Sequence, residues 1–212
     1  MLERNDVPGG CIRTEELTQP GFRHDTLSTL YPLFVSAPYF PSLKDELARN
    51  GATFLDCRMP TAVLLPDGRS LIYRADRDAN VAAFESLAPG DGAALRRAME
   101  EIEREAALLF GFLGGEFWRA PTARMLLKRA WRKGLREAVS YGAPALGTCR
   151  DWLMRDFRSE LSRALLAPWV LHVGLGPESA TSGLMAKLVM LTLEQAGAIW
   201  RSEERRVGKE CR

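Results

Sequence analysis

Leu2-Glu3-Arg4, the pair Gly9-Gly10 and then Arg13-Thr14 form the stretch whose residue types and spacing could do chemistry. An acid at the end of a strand can accept hydrogen bonds from the ribose hydroxyls of an adenosine nucleotide. In a βαβ nucleotide-binding unit that acid stands about 20 residues after the phosphate-binding glycines. Glu3 has the type and the place for that role. Gly9 and Gly10 would let backbone approach a phosphate or a ribityl chain, because no Cβ intervenes. On spacing alone, Pro8-Gly9-Gly10 is better read as a plain tight turn. The first strand and glycine fingerprint of such a unit would lie before Met1, so the chain is expected to be a fragment.

Other catalytic sets are absent from the sequence. The histidines are His24 and His172, and the cysteines Cys11, Cys57, Cys149 and Cys211 include no C-x-x-C pair. That pattern speaks against a zinc site and a disulfide scaffold, and suits a reducing cytosol. His172 lies within Trp169-Val170-Leu171-His172-Val173 and is expected to be a hydrogen-bonded core or pocket residue. His24 and Asp25 are adjacent, so on a strand they would point to opposite faces and make a poor dyad. A protein without its own catalytic set suits a reaction carried by a cofactor.

The elements that must position this stretch read as α+β and mostly helical. A short helix is expected over 38–51 and a strand over 52–56. A hairpin joins Thr61–Leu65 to Arg69–Tyr73 around Pro66-Asp67-Gly68. Asp78 is the expected cap of a helix through Val81, Phe84 and Leu87. From Asp91, residues Leu95, Met99, Ile102, Ala106, Leu109 and Leu113 recur on one helical face. Thr148 caps a helix whose face carries Leu153, Phe157, Leu161 and Leu165 up to Pro168. Leu184, Leu188, Leu191 and Gln195 mark another, ended by Gly197.

The charge is +2, with 29 basic and 27 acidic residues, too balanced for a nucleic-acid partner. The first twenty residues are charged and turn-rich, unlike a secretory leader. Residues 122–141 form a basic amphipathic helix pattern around Trp131. Such a helix is most simply a solvated face, with peripheral contact to a membrane surface as the alternative. The segment 200–212 shifts abruptly in composition and looks like translated sequencing-adapter read-through. It is expected to be non-native, the alternative being a natural charged tail.

The order Leu2-Glu3-Arg4, Gly9-Gly10-Cys11-Ile12-Arg13-Thr14-Glu15, then Gly21-Phe22-Arg23-His24-Asp25 resembles the phytoene-desaturase-like flavoproteins of the amine-oxidase-like superfamily. The likeness is strong to residue 33 and diffuse beyond. It implies an FAD-dependent oxidoreductase, cytoplasmic or membrane-associated, passing hydride from an apolar small-molecule substrate to flavin. It also implies that residues 1–40 are the remnant of the FAD domain, from its second strand onward, and that 41–199 belong to a substrate domain. Glu3 and Arg4 would hold the adenosine half, while Gly9, Gly10, Arg13 and Thr14 flank pyrophosphate and flavin; no catalytic residue is assigned. The glycine loop of that family is missing here, so this piece by itself is expected to be inactive. The competing expectation is a non-enzymatic helical module that binds a partner or a membrane surface.

Overall fold

In the computed structural model the chain is α+β, with more helix than strand. The structure describes residues 4–6, 9–28, 30–35, 37, 39–52, 54–113, 124, 131 and 145–201. The chain divides into two compact units, one of residues 1–60 with 196–212 and the other of 61–195. That spatial division falls at Pro60–Thr61, whereas the expected functional boundary lay near residue 40.

The first unit holds β1 (Thr14–Glu15), β2 (His24–Asp25), α1 (Pro32–Val35), α2 (Phe40–Arg49), β3 (Phe54–Cys57) and the last strand, β6 (Ala198–Arg201). β1 pairs with β2, and β3 with β6, both antiparallel. No parallel strand pair occurs among the described residues, so the βαβ remnant is not among the elements seen. Strand β6 was not expected from the sequence; it runs through Trp200 and Arg201, the first residues of the supposed tail. Residues 202–212 lie outside the described residues. Tyr31, Phe34 and Phe40 gather around Phe54, at ring-centroid distances of 6.0, 5.9 and 5.6 Å.

The second unit opens with the expected hairpin, β4 (Thr61–Leu64) against β5 (Ser70–Tyr73). Its turn is fixed twice: Leu65 N–H donates to Arg69 O at 2.9 Å, and the Asp67 carboxylate accepts from Arg69 N–H at 3.0 Å. Alternation along β5 buries Leu71 and Tyr73. Helix α3 (Arg77–Leu87) follows, capped by Asp76, whose carboxylate accepts from Ala79 N–H at 3.0 Å. The cap is therefore Asp76, not Asp78. The extended backbone at 76 aims its side chain at the open amides, while Asp78 lies inside the first turn and pairs with Arg96 at 2.6 Å.

Helix α4 (Asp91–Leu113) buries Leu95, Met99 and Ile102, as the periodicity implied. Gly92 lets α3 and α4 approach closely; a Cβ there would stand 2.4 Å from Val81 O. The Glu85 carboxylate accepts from Gly90 and Gly92 N–H at 2.9 and 3.1 Å, covering open amides at the start of α4.

The single helix expected from 149 to 167 is in fact broken. α5 (Cys149–Asp156) ends at Phe157, whose backbone is extended, and α6 (Glu160–Leu166) begins after Ser159. The physical cause is Asp91, with no exposed surface, whose two carboxylate oxygens accept from Arg158 N–H at 2.8 Å and Ser159 N–H at 3.0 Å. A continuous helix would spend those amides on its own carbonyls. Phe157, freed from the helical face, stacks edge-on with Phe84 and Trp152 in the core. Thr148 caps α5 as expected, accepting from Asp151 N–H at 3.0 Å. A 3₁₀ turn (Ala167–Val173) and α7 (Ser182–Ala196) complete the unit.

Replacing Asp91 by Ala leaves two amides without their charged acceptor, so urea titration should show a loss of about 2–4 kcal/mol. A loss well under 1 kcal/mol would show that the break after α5 has another cause.

Candidate functional site

The nucleotide-site residues named from the sequence divide into those the structure brings together and those it does not. Glu3 lies outside the described residues. Arg4 is an exposed bend residue. Gly9, Gly10, Arg13 and Thr14 fall in one turn leading into one strand. Ile12 N–H closes the turn on Gly9 O at 2.9 Å, with positive φ at Gly9 (128°) and Gly10 (57°). A Cβ at Gly9 would stand 2.8 Å from Ile12 O, so the turn itself demands glycine there. At Gly10 nothing lies within 4 Å of the Cβ position, and its backbone is open to approach.

Beyond the turn, β1 and β2 make a short ribbon with Thr14 opposite Asp25 and Glu15 opposite His24. The Thr14 hydroxyl donates to Asp25 Oδ1 at 2.6 Å. Thr26 N–H donates to Arg13 O at 2.9 Å, which extends the pairing. The Arg13 guanidinium pairs with Glu15, yet its side chain is more than half exposed. His24 Nε2 lies 2.9 Å from the Thr18 hydroxyl, away from the Asp25 carboxylate's bond to Thr14. The two adjacent residues thus serve separate partners. Chemically, this is an exposed glycine turn beside an arginine whose charge is shared with Glu15.

One reading changes. His172, expected in the core, is exposed and rests its ring 5.7 Å from that of Trp169. It sits in the 3₁₀ turn, whose three-residue period buries Val170 and turns its neighbours outward. Cys149 is buried, and burial pushes its thiol up to about 11, so it is an unreactive core residue. No group of metal-binding side chains occurs among the described residues.

Sequence reasoning missed a polar cluster inside the second unit. Arg77 on α3 donates through Nε and Nη2 to Glu194 Oε1 on α7, at 2.7 and 2.6 Å, and through Nη1 to Glu103 Oε2 on α4, at 2.8 Å. Gln195 Nε2 donates to Glu103 Oε1 at 3.0 Å. The buried Tyr73 hydroxyl lies 3.4 Å from Met190 O and 3.5 Å from Glu194 Oε2. Burial holds the Glu194 carboxyl above its ordinary value and, with the Glu194 charge beside it, the Tyr73 phenol well above its own. Glu103, facing water, is instead lowered by its hydrogen bond to Arg77. The available signal was Glu194 itself, an acid four residues after Met190 on the buried side of a largely apolar helix.

On a neighbouring face, the Lys187 ammonium stands 5.2 Å over the Trp152 ring and 3.8 Å from Glu101. Burial lowers its proton affinity. The chain matches no known protein family and no curated protein.

Truncating Arg77 to Ala leaves Glu194 buried without its counter-ion. Denaturant unfolding at neutral pH should show a loss of about 2–4 kcal/mol, against less than about 1 kcal/mol for Glu103→Gln at the exposed end. Equal losses from the two variants would mean that the cluster is no more than a surface ion pair.

Proposed function

We propose that this chain belongs to an FAD-dependent oxidoreductase of the phytoene-desaturase-like kind, acting on an apolar small molecule. The observation that carries the reading is the exposed Gly9–Gly10 turn running into the Thr14–Asp25 ribbon, in a residue order that resembles that family. The residues present fit the cofactor's anionic part, since the Gly10 backbone is open and the Arg13 side chain is accessible beside it.

When bound, FAD would supply the hydride acceptor. The chain's own residues would bind and orient. Glu3 and Arg4 would meet the adenosine half, and Glu3 would accept from the ribose hydroxyls. Gly9 and Gly10 would present amide groups to the pyrophosphate without an intervening Cβ, with Arg13 adding a compensating charge. Thr14, its hydroxyl proton given to Asp25, would hold the ribbon's register beside the flavin. The boundary near residue 40 belongs to the same proposal, with 41–199 covering the substrate.

An apolar substrate also supports peripheral membrane contact through 122–141. Most of that segment lies outside the described residues. Within it Arg124 is exposed and Trp131 is 91% exposed, which suits an aromatic at a lipid interface. No helix among the described residues is long and apolar enough to cross a membrane.

Protein expressed from its genomic reading frame should carry stoichiometric flavin, released on denaturation. Arg13→Ala should weaken FAD binding about tenfold, near 1.4 kcal/mol, while leaving the melting of the second unit unchanged. Absence of flavin, or unaltered affinity in both Arg13→Ala and Gly10→Val, would overturn the assignment. Retention on anionic vesicles is expected to drop in Trp131→Ala; equal retention of both proteins removes the membrane contact alone.

A further inference from the structure

The pairing of β1 with β2 sorts the side chains of the ribbon onto two faces. Residues along an antiparallel pair alternate, so Thr14 and Asp25 share one face while Arg13, Glu15, His24 and Thr26 share the other. The contacts agree with that division. Thr14 bonds Asp25, whereas the Glu15 carboxylate is divided between Arg13 and Thr26. Its Oε1 pairs with Arg13 Nη2, and its Oε2 accepts from the Thr26 hydroxyl at 3.3 Å. His24 is turned aside to the Thr18 hydroxyl, 2.9 Å away. Glu15 therefore lies on the guanidinium that stands beside the Gly9–Gly10 turn.

A carboxylate built into the ribbon competes with any anion that approaches Arg13. Because it is tethered, it acts at a high effective concentration, which a free anion of the same charge does not match. A pyrophosphate group carries more charge and more acceptor oxygens, so it gains more from a guanidinium fork than a carboxylate does. Displacement leaves Glu15 its bond from Thr26, so the exchange breaks one of its two contacts. The Arg13 and Glu15 side chains are 54% and 36% exposed, and the swap requires no opening of the ribbon. We propose that Glu15 is the specificity-determining residue beside the Gly9–Gly10 turn, holding Arg13 against monoanions and yielding it to a pyrophosphate group. This role rests on the reading of that turn as the place of the cofactor's pyrophosphate.

Titration of the full chain with inorganic pyrophosphate at low salt tests it, followed by the NMR shifts of Arg13 Nε–H and the Gly10 amide. Glu15→Gln, which keeps the shape and an acceptor for Thr26, should tighten pyrophosphate about threefold. Acetate should leave the Arg13 signal of the wild type in place and move it in Glu15→Gln. Glu16→Gln removes the same charge one residue on, where the carboxylate accepts from Gly21 N–H at 3.0 Å. It should change pyrophosphate affinity clearly less. In an Arg13→Ala background Glu15→Gln should bring no gain.

Equal gains from Glu15→Gln and Glu16→Gln, or a gain that persists without Arg13, would overturn the proposal. So would pyrophosphate that moves neither signal in Glu15→Gln. FAD titrated in parallel separates this role from the flavoprotein reading. Pyrophosphate tightened by Glu15→Gln with no flavin bound by any variant keeps the role of Glu15 and removes the flavin. Flavin bound no more tightly by Glu15→Gln than by the wild type keeps the flavin and removes the role.

Discussion

A carboxylate with no exposed surface has to find donors inside the protein, and Asp91 finds two backbone amides 67 and 68 residues further along the chain. An unpaired ion in that position would be untenable, since burial of an isolated charge costs far more than any single contact returns. The helix start at α6 is what satisfies it. The same residue opens α4, so the first turn of that helix is tied to the point where α5 and α6 part. The break then turns Phe157 into the core against Phe84 and Trp152, an arrangement a straight helix could not make. Glu85 repeats the device one step earlier, giving its carboxylate to the amides at the head of α4. The second unit is thus a hydrophobic core whose element ends are fixed by polar side chains, from the buried Asp91 to the exposed Glu85.

This explains which parts of the fold were legible in the sequence. Leu95, Met99 and Ile102 fall on one face because helical geometry places steps of three and four together, and nothing distant is required to see it. The hairpin around Asp67-Gly68 and the Thr148 cap are equally local. The interruption at Phe157 was not legible, because its cause lies in Asp91 and sequence spacing gives no account of a bond spanning 67 residues. Asp76 and Asp78 illustrate a subtler limit. Both residue types can cap, and only the extended backbone at 76 decides between them. Strand β6 was hidden for the same reason as the break, since its partner β3 lies at the other end of the chain.

Of the candidate nucleotide site, the turn was readable and the ribbon was not. Gly9-Gly10 announces itself by composition, whereas the Thr14–Asp25 bond depends on a register eleven residues apart that no short motif encodes. The two units also differ in how they are held. Among the described residues, the buried hydrophobic side chains belong to the second unit except for Ala198. The first unit rests on half-buried aromatic rings around Phe54 and on short strand pairs. Two-stranded pairs of that length are marginal by themselves, so the rings supply much of what fixes them.

The Glu194 cluster shows why a polar residue can persist on an apolar helical face. Replacing the buried end of such a pair with a hydrophobic side chain of similar size is often neutral or stabilising. Stability alone therefore does not account for an acid at that position. What the acid does that a leucine could not is join three helices and a strand through directional bonds, to Arg77, and through it to Glu103, with Tyr73 closing the other side. Packing fixes how near α7 lies to α3 and α4; the guanidinium fork fixes the rotation of its last turn.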